Sequence, residues 1–314
     1  MPPSAVPTAT LTPDAVFAPS ETDATPPTAI PTERSRHRYD WLASVPFILC
    51  HVAVLGALWS GVTWQAVVVC IALYWIRVFG VTAGYHRYFS HRAFETSRPM
   101  QFVLAWIAQS TSQKGAIWWA SHHRAHHLYS DSERDLHSPR QHGFLHAHLG
   151  WLFSGSDKTE WNRVKDLAKF PELVWLEKYY LVPPIVTGFL VWLFFGWSGL
   201  FIGFFLSTVF TWHGTFFINS LAHVWGTRRF ETKDDSRNNP FLAILTMGEG
   251  WHNNHHHYMS SARQGFYWWE IDLTYYLLVA MEKVGLVWNL KQPPERVLEA
   301  GRRADAERRA LARG

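Results

Sequence analysis

The sequence predicts an all-α integral membrane protein, and three observations carry that prediction. Apolar residues are gathered into a few charge-poor runs, basic residues are confined to the segments between those runs, and aromatics, with 18 Trp and 21 Phe, reach 16% of the 314 residues. A soluble core of this size would spread its apolar residues at helical or strand period instead.

The first charge-poor stretch, Tyr39 to Ile76, contains no Lys, Arg or Glu and divides near Ser60-Gly61. The second, Tyr179 to Thr227, divides at Gly196-Trp197-Ser198. Each half approaches the roughly 20 residues a helix needs to cross the hydrocarbon core. Four transmembrane helices are therefore expected, at about 41–59, 62–82, 179–196 and 198–218, in two hairpins with short turns. Every Lys and Arg lies in the N-terminal segment, in residues 77–178 or in residues 228–313, and none lies in either turn. The positive-inside rule then puts those segments and both termini in the cytoplasm, the membrane being the inner (cytoplasmic) one. Arg77, near the end of the second span, is expected to snorkel outward.

Residues 1–38 are expected to form a disordered tail. They are rich in Pro, Thr and Ala up to residue 32 and lack the basic start and apolar core of a secretory signal. Residues 39–293 form the expected membrane domain, and 294–314 a charged C-terminal helix or tail. Met100 to Ala120 and Gly265 to Trp288 are apolar but interrupted by polar residues, which suits helices lying in the interface. The two cysteines, Cys50 and Cys70, fall inside apolar runs, so neither a disulfide nor a thiolate metal site is expected.

The 18 histidines are clustered. His86 and His91 follow the second span, His223 ends the fourth, and two HxxHH groups are formed by His123, His126 and His127 and by His252, His255 and His256. An α-helix turns about 100° per residue, so positions i, i+3 and i+4 project within an arc of about 100° and their imidazoles converge on one side. Three ligands on one face suit a metal. His122 lies at the edge of its arc and His257 is about 140° from His252, which makes both second choices. His86 and His91 are also about 140° apart on an unbroken helix, so a bend or helix end is expected between them. His37, His51 and His213 read as polar residues at the membrane boundary. Eight or nine imidazoles exceed the coordination of one ion, so two metals are implied, and neutral imidazole serves Fe, Zn, Cu and Ni alike. The cytoplasmic segments thus form a helical cap that carries a histidine-bound dimetal site.

The order HxxxxH, HxxHH, NSxxH and HxxHH around two hairpins resembles the membrane-bound fatty acyl desaturases, specifically acyl-CoA (stearoyl-CoA-like) Δ9 desaturases of bacterial type. The segments Gly80-Val-Thr-Ala-Gly-Tyr-His-Arg, Asp135-Leu-His-Ser-Pro139, His148-Leu-Gly-Trp151 and Gly248-Glu-Gly-Trp-His252 belong to the same pattern, which runs from Tyr39 to Pro294. The resemblance implies a non-haem di-iron centre. Two Fe²⁺ ions would be held by His86, His91, His123, His126, His127, His223, His252, His255 and His256, with Asn219 reaching one of them through water. It implies that O₂ and two electrons are used to remove two hydrogens from adjacent methylenes of a saturated long-chain fatty acyl thioester, leaving a cis Δ9 double bond. Oxidising an unactivated C–H bond calls for a redox-active metal, which excludes Zn²⁺.

A saturated chain has no polar handle near the reacting carbons, so an apolar tunnel has to place the right methylene. By resemblance Gln113, Trp119, Thr215 and Phe216 line its bend and Tyr74 plugs its far end, with ordinary interior packing as the alternative for each. Arg124, Lys158, Arg163 and Lys165 are available to the anionic head of an acyl-CoA or other acyl carrier. The last three depart from the animal-enzyme pattern, and a solvated charged face accounts for them equally. Arg228, Arg229, Lys233 and Arg237 could bind an acidic electron donor or anionic lipid. No fused haem, flavin or Fe–S unit is expected, so electrons would come from a separate ferredoxin, rubredoxin or cytochrome b5 type donor. No nucleic-acid partner is expected. An alkane, sterol or carotenoid hydroxylase would share the metals and insert oxygen, and an acyl-lipid desaturase would differ only in carrier. A metal transporter would need its ligands at mid-membrane.

Overall fold

The computed structural model describes residues 41–154 and 158–313, with side chains from Ser44 onward, so the expected tail at 1–38 lies outside the described residues. The apolar runs become helices. α1 (Trp41–Val54) and the short α2 (Ala57–Ser60) hold the first run. Thr63 caps the next helix by accepting from Ala66 N–H, and α3 (Trp64–Phe79) passes without a break into a π-helix, π1 (Gly80–Ser90). The cap follows with α4 (Arg98–Gln109), α5 (Ala116–Tyr129), α6 (Pro139–His142), α7 (Phe144–His148), α8 (Lys165–Ala168) and α9 (Pro171–Lys178). The second apolar run forms α10 (Val182–Ser198), π2 (Gly199–Leu206) and α11 (Ser207–Asn219). The chain closes with α12 (Pro240–Leu245), α13 (His252–His257), α14 (Leu273–Lys283) and α15 (Glu295–Leu311). Among the described residues the strands are β1 (Glu95–Thr96) and β2 (Val287–Trp288), paired antiparallel.

Two helical stretches, Trp64–Ser90 and Val182–His223, are long and apolar enough to cross a membrane. The second is broken at Gly196 (φ 63, ψ −160), a conformation open to glycine and costly for other residues. The chain folds back there, so that Gly188 lies against Phe204 and Gly203 against Val191. The two turns meet: Thr63 N–H donates to Ser198 Oγ at 3.1 Å, and the rings of Trp59 and Trp197 lie 5.8 Å apart. Along these helices Leu58, Trp64, Ile185 and Phe194 are exposed, as a lipid-facing surface requires. Away from the joined turns, the helices lead to the elements that carry the histidine clusters.

Several expectations are corrected. Met100 to Ala120 is not one interfacial helix: α4 stops at Gln109, and Ser112 (φ 61) and Lys114 (φ 66) turn the chain before α5. Gly265 to Trp288 is helical only over α14. His51 and His213 are not isolated boundary residues. His51 Nδ1 donates to Phe47 O at 2.9 Å and its Nε2 lies 3.2 Å from His213 Nε2, while His213 Nδ1 lies 3.0 Å from His148 Nε2. Polar rings in an apolar stretch thus satisfy one another.

Arg77 does not snorkel. It is fully buried, and its Nη1 donates to Thr208 Oγ1 at 2.8 Å and Ser207 Oγ at 3.0 Å, with the guanidinium over the Phe204 ring at 4.5 Å. The reason is local. At the junction where π2 becomes α11 the two hydroxyls and the Phe204 carbonyl form a ready acceptor site in an otherwise apolar layer. Arg77 therefore fixes the rotation of α11 against α3. Thr208→Val should destabilise the protein by about 2 kcal/mol, because it strips a bond from a buried cation. Adding Arg77→Met to that background should recover part of the loss in denaturant unfolding of the nanodisc-embedded protein, and a simple sum of the two single-variant losses would disprove the coupling.

Candidate metal centre

The nine expected ligands come together in two adjacent groups. His86, His91, His123, His127 and His255 form one, and His126, His223, His252 and His256 form the other, with the ligand atoms within 4.8 Å of one another in each. The helical arc therefore works differently from expectation. On α5 the i, i+4 pair His123 and His127 points to the five-histidine group while His126, about 60° outside that pair, points to the four-histidine group. On α13 the assignment is reversed: His252 and His256 serve the four and His255 the five. Each HxxHH helix lies across the line between two centres.

His86 and His91 meet without a bend. In π1 the backbone bonds run i→i+5, and His91 N–H donates to His86 O at 3.2 Å, so residues five apart stand on the same side. Their ring centroids are 4.9 Å apart. The helix does end at His91. Arg124, expected to face an anionic carrier, is instead consumed in securing this terminus. It is 7% exposed, donates to the carbonyls of Phe89 and Ser90, and makes a two-pronged pair with Asp166 at 2.7 and 3.0 Å. End-of-helix carbonyls lack intrahelical partners, and α5 supplies them.

The imidazoles fit metal ions. Nε2 atoms face each other at 2.8 Å (His91–His123), 2.9 Å (His86–His255 and His127–His255) and 3.0 Å (His123–His127 and His223–His252). An ion with bonds of about 2.1 Å and right-angled neighbours would space its donors about 3.0 Å apart. Among the described residues, His256 Nε2 is buried with no hydrogen-bond partner, while its Nδ1 donates to Asp234 at 2.6 Å. Burial, reinforced by neighbouring imidazoles, drives His91, His123, His127, His252 and His255 well below the usual histidine range, and burial takes His256 down to about 4 against the pull of Asp234. Neutral imidazole is the form a metal binds.

Carboxylates on the far nitrogens orient the rings. His223 Nδ1 pairs with Asp131 at 2.8 Å, His126 Nδ1 with Asp135 at 3.2 Å, and His86 Nδ1 with Glu249. Burial alone would raise the acids, yet the partner histidines hold Asp131, Asp135 and Asp234 well below the carboxylate range. Asp131 also accepts from Ser138 Oγ and Asp235 N–H and sits at φ 57°, a region that Asp tolerates better than most residues. Sequence reasoning missed these four acids as site residues. Asp135 and Glu249 stand inside recognisable segments, and the available signal was a carboxylate close to a histidine cluster.

A cavity opens on both groups. His86, His123, His126, His252, Asn219 and Glu249 line it on the metal side, and Val78, Val81, Thr82, Trp119, Gly214, Thr215, Ile218 and Thr246 line the rest. Trp119 stacks on His123 with centroids 4.9 Å apart, and Gln113 Nε2 donates to Thr215 Oγ1 at 3.2 Å. The Tyr74 hydroxyl donates to Leu245 O at 2.7 Å and lies beside Gly214. Gln113 and Tyr74 are not among the residues that line this cavity, and Phe216 is not at it either. One residue past Thr215 on α11 it turns toward Phe47, His148 and His213. Of the remaining head-group candidates, Arg163 pairs with Glu160 at 2.5 Å, while Lys158 and Lys165 are exposed. His122 stacks on Trp118 and His257 on Phe230, outside both groups.

A helical protein with two long apolar helices and two clusters of inward-facing imidazoles under an apolar cavity belongs to the class of histidine-rich membrane metalloproteins. Within that class the chain is a member of the fatty acid desaturase family, whose sequence profile matches residues 62–290. It is 37% identical over 261 residues to the sn-1 stearoyl-lipid 9-desaturase of Anabaena variabilis, covering 82% of this chain and 96% of that protein. It is 37% identical over 267 residues to the Delta-9 acyl-lipid desaturase 1 of Arabidopsis thaliana (84% and 87%), and 34% identical over 291 residues to an Acyl-CoA C20 Delta5-desaturase of Anemone leveillei (88% and 93%). The protein is accordingly an oxidoreductase of lipid metabolism.

His126→Ala removes one of four donors and should lower bound metal from two ions to one per chain, measured by elemental mass spectrometry, whereas His257→Ala should keep both. Equal loss from the two variants would contradict the division into groups. Asp131→Asn should weaken the four-histidine group by about 10–100-fold in a chelator competition, through a loosened His223.

Proposed function

We propose that the protein is an O₂-dependent acyl desaturase that introduces a cis Δ9 double bond into a saturated long-chain acyl group carried on a membrane lipid. The observation that carries this reading is the cavity, apolar over most of its wall and floored by ligands of both histidine groups. The nine histidines would hold two iron ions, which supply the oxidising power for an unactivated C–H bond when bound. Asn219, on the cavity wall, would meet one of them through water. The chain's own residues do the rest. Val78, Val81 and Ile218 exclude water from the acyl chain, Trp119 braces His123, and the Gln113–Thr215 bond ties the loop before α5 to α11 where the chain would bend. Tyr74, anchored on Leu245 O, would limit chain length at the far end.

A lipid carrier is favoured over acyl-CoA on two grounds. Relatives at 37% identity act on acyl lipids by name. Of the four cations considered for a phosphate-bearing head, Arg124 and Arg163 are engaged with Asp166 and Glu160. The four spans, the cytoplasmic placement of the histidine-bearing cap and an external electron donor are part of the same proposal.

Expression in a desaturase-deficient host with fatty-acid profiling tests it. An iron-dependent Δ9 monoene should appear in extracted glycerolipids before it appears in the acyl-CoA pool. A hydroxylated product without a double bond, or no unsaturation from stable, iron-loaded and reduced protein, would overturn it.

A further inference from the structure

α13 carries three of the nine ligands on six residues and gives them to both histidine groups. A helix this short has little stability of its own, so its orientation has to be imposed from outside. Two asparagines between the ligands receive that restraint. Asn253 Oδ1 accepts from the backbone N–H groups of Arg229 and Phe230, both at 2.8 Å, and its Nδ2 donates to Phe230 O at 3.0 Å. Asn254 Oδ1 accepts from Asn238 Nδ2 at 2.7 Å and from Arg229 Nη1 at 2.9 Å, while its Nδ2 donates to Gln264 O at 3.0 Å and to Glu270 Oε2 at 2.9 Å. Every hydrogen-bonding position of the Asn254 amide is thereby used, which fixes the rotation of α13 about its axis.

Arg229, which the sequence leaves open to a donor or a lipid, is the residue that both asparagines share. Its guanidinium also pairs with Glu270, the acid that accepts from Asn254, and its Nε donates to Asp305 Oδ2 on α15 at 3.1 Å. The Tyr267 ring lies under it, 4.8 Å from the guanidinium carbon. α15 is seated on the same residues. The Tyr267 hydroxyl donates to Leu298 O at 2.7 Å, Val297 packs with Phe230 and Tyr267, and Gly301 comes so close that a Cβ would overlap the Tyr267 hydroxyl. Asp305 and Tyr267 thus hold the guanidinium where it meets Asn254. α15 lies beyond residues 62–290, the stretch shared with the family profile, so this restraint reaches the metal-bearing helix from outside the shared domain.

We propose that Arg229 is a positioning residue for the metal centre and that α15 acts through it as a brace on α13. Asp305 holds Arg229, Arg229 holds Asn254, and Asn254 sets the direction in which His252, His255 and His256 point. The metal part of this rests on the nine histidines holding two ions, as the desaturase reading has it. Because α13 serves both groups, loosening the brace weakens both ions together, whereas losing one ligand or one acid behind a ring falls on its own group. Lysine cannot stand in for Arg229, since a single ammonium does not present the fork that bonds Asn254, Glu270 and Asp305 at once.

The test uses the full chain in nanodiscs. In metal-free protein, amide hydrogen exchange over residues 251–258 should be faster in Arg229→Gln, Arg229→Lys and Asp305→Ala than in the parent. With Co²⁺ alone as the probe, chelator competition should show both ions held about tenfold more weakly in Arg229→Gln, with shifted visible absorption bands. Asp305→Ala should show the same change to a smaller degree, and Asp305→Glu should restore the parent values. Arg229→Gln/Asp305→Ala should lose no more than Arg229→Gln alone, because the two side chains act in series. Glu295→Gln, which breaks only an exposed pair with Arg302 on α15, should match the parent in every readout. Unchanged Co²⁺ affinity and bands in Arg229→Gln, a loss confined to one ion, or an Asp305→Ala variant indistinguishable from the parent overturns the proposal. So does faster exchange with no change in Co²⁺ binding, which would make Arg229 a folding contact only. Parent protein that shows the exchange difference from its variants but takes up fewer than two Co²⁺ keeps the brace and sinks the two-ion reading instead.

Discussion

The structure depends on holding nine imidazole nitrogens pointed at two largely buried places. Polar atoms buried without partners are costly, and like lone pairs facing each other at 2.8–3.0 Å are worse, so no histidine would adopt this position on its own propensity. The surrounding chain imposes it. Asp131, Asp135, Asp234 and Glu249 take the Nδ1 protons and turn the Nε2 atoms inward. Those acids are themselves held: Asp131 by Ser138 and the Asp235 backbone, and Glu249 by Arg87, which also reaches Asp272. For these four pairs the acid behind each ring is thus held in turn by a neighbouring side chain or backbone N–H.

Much of this was legible in the sequence because it rests on local patterns. The apolar runs mark the long helices and the Gly196 turn, since a run of that length without charge has few other fates. The nine ligand candidates were identifiable from spacing and resemblance, and the structure brings all nine together. What was not legible depends on backbone geometry or on contacts distant in sequence. The i→i+5 bonds of π1 replace the bend expected between His86 and His91. Nothing in the spacing distinguishes three histidines aimed at one ion from three shared between two. Arg124 reads as a free cation beside a histidine cluster until the π1 carbonyls and Asp166, 42 residues away, claim it. Phe216 fails as a cavity residue because one step along α11 is about 100° of rotation, enough to leave the cavity wall.

The buried arginines follow a common logic. Arg77 and Arg124 each stand at the end of a π-helix, π2 and π1 respectively, where a change of hydrogen-bond register leaves carbonyl oxygens available. A π-helix is a weak element, with few intrinsic reasons to persist over 11 residues. Arg124 uses the whole fork of its guanidinium, with Nε, Nη1 and Nη2 all donating, which a lysine could not replace, whereas Arg77 reaches its three acceptors from Nη1 alone. The two cations that seemed poised for solvent or substrate thus brace the geometry that aligns His86 with His91 and sets the rotation of α11. With Arg77 and Arg124 committed to holding this frame, an anionic carrier head finds neither of them free beside the cavity.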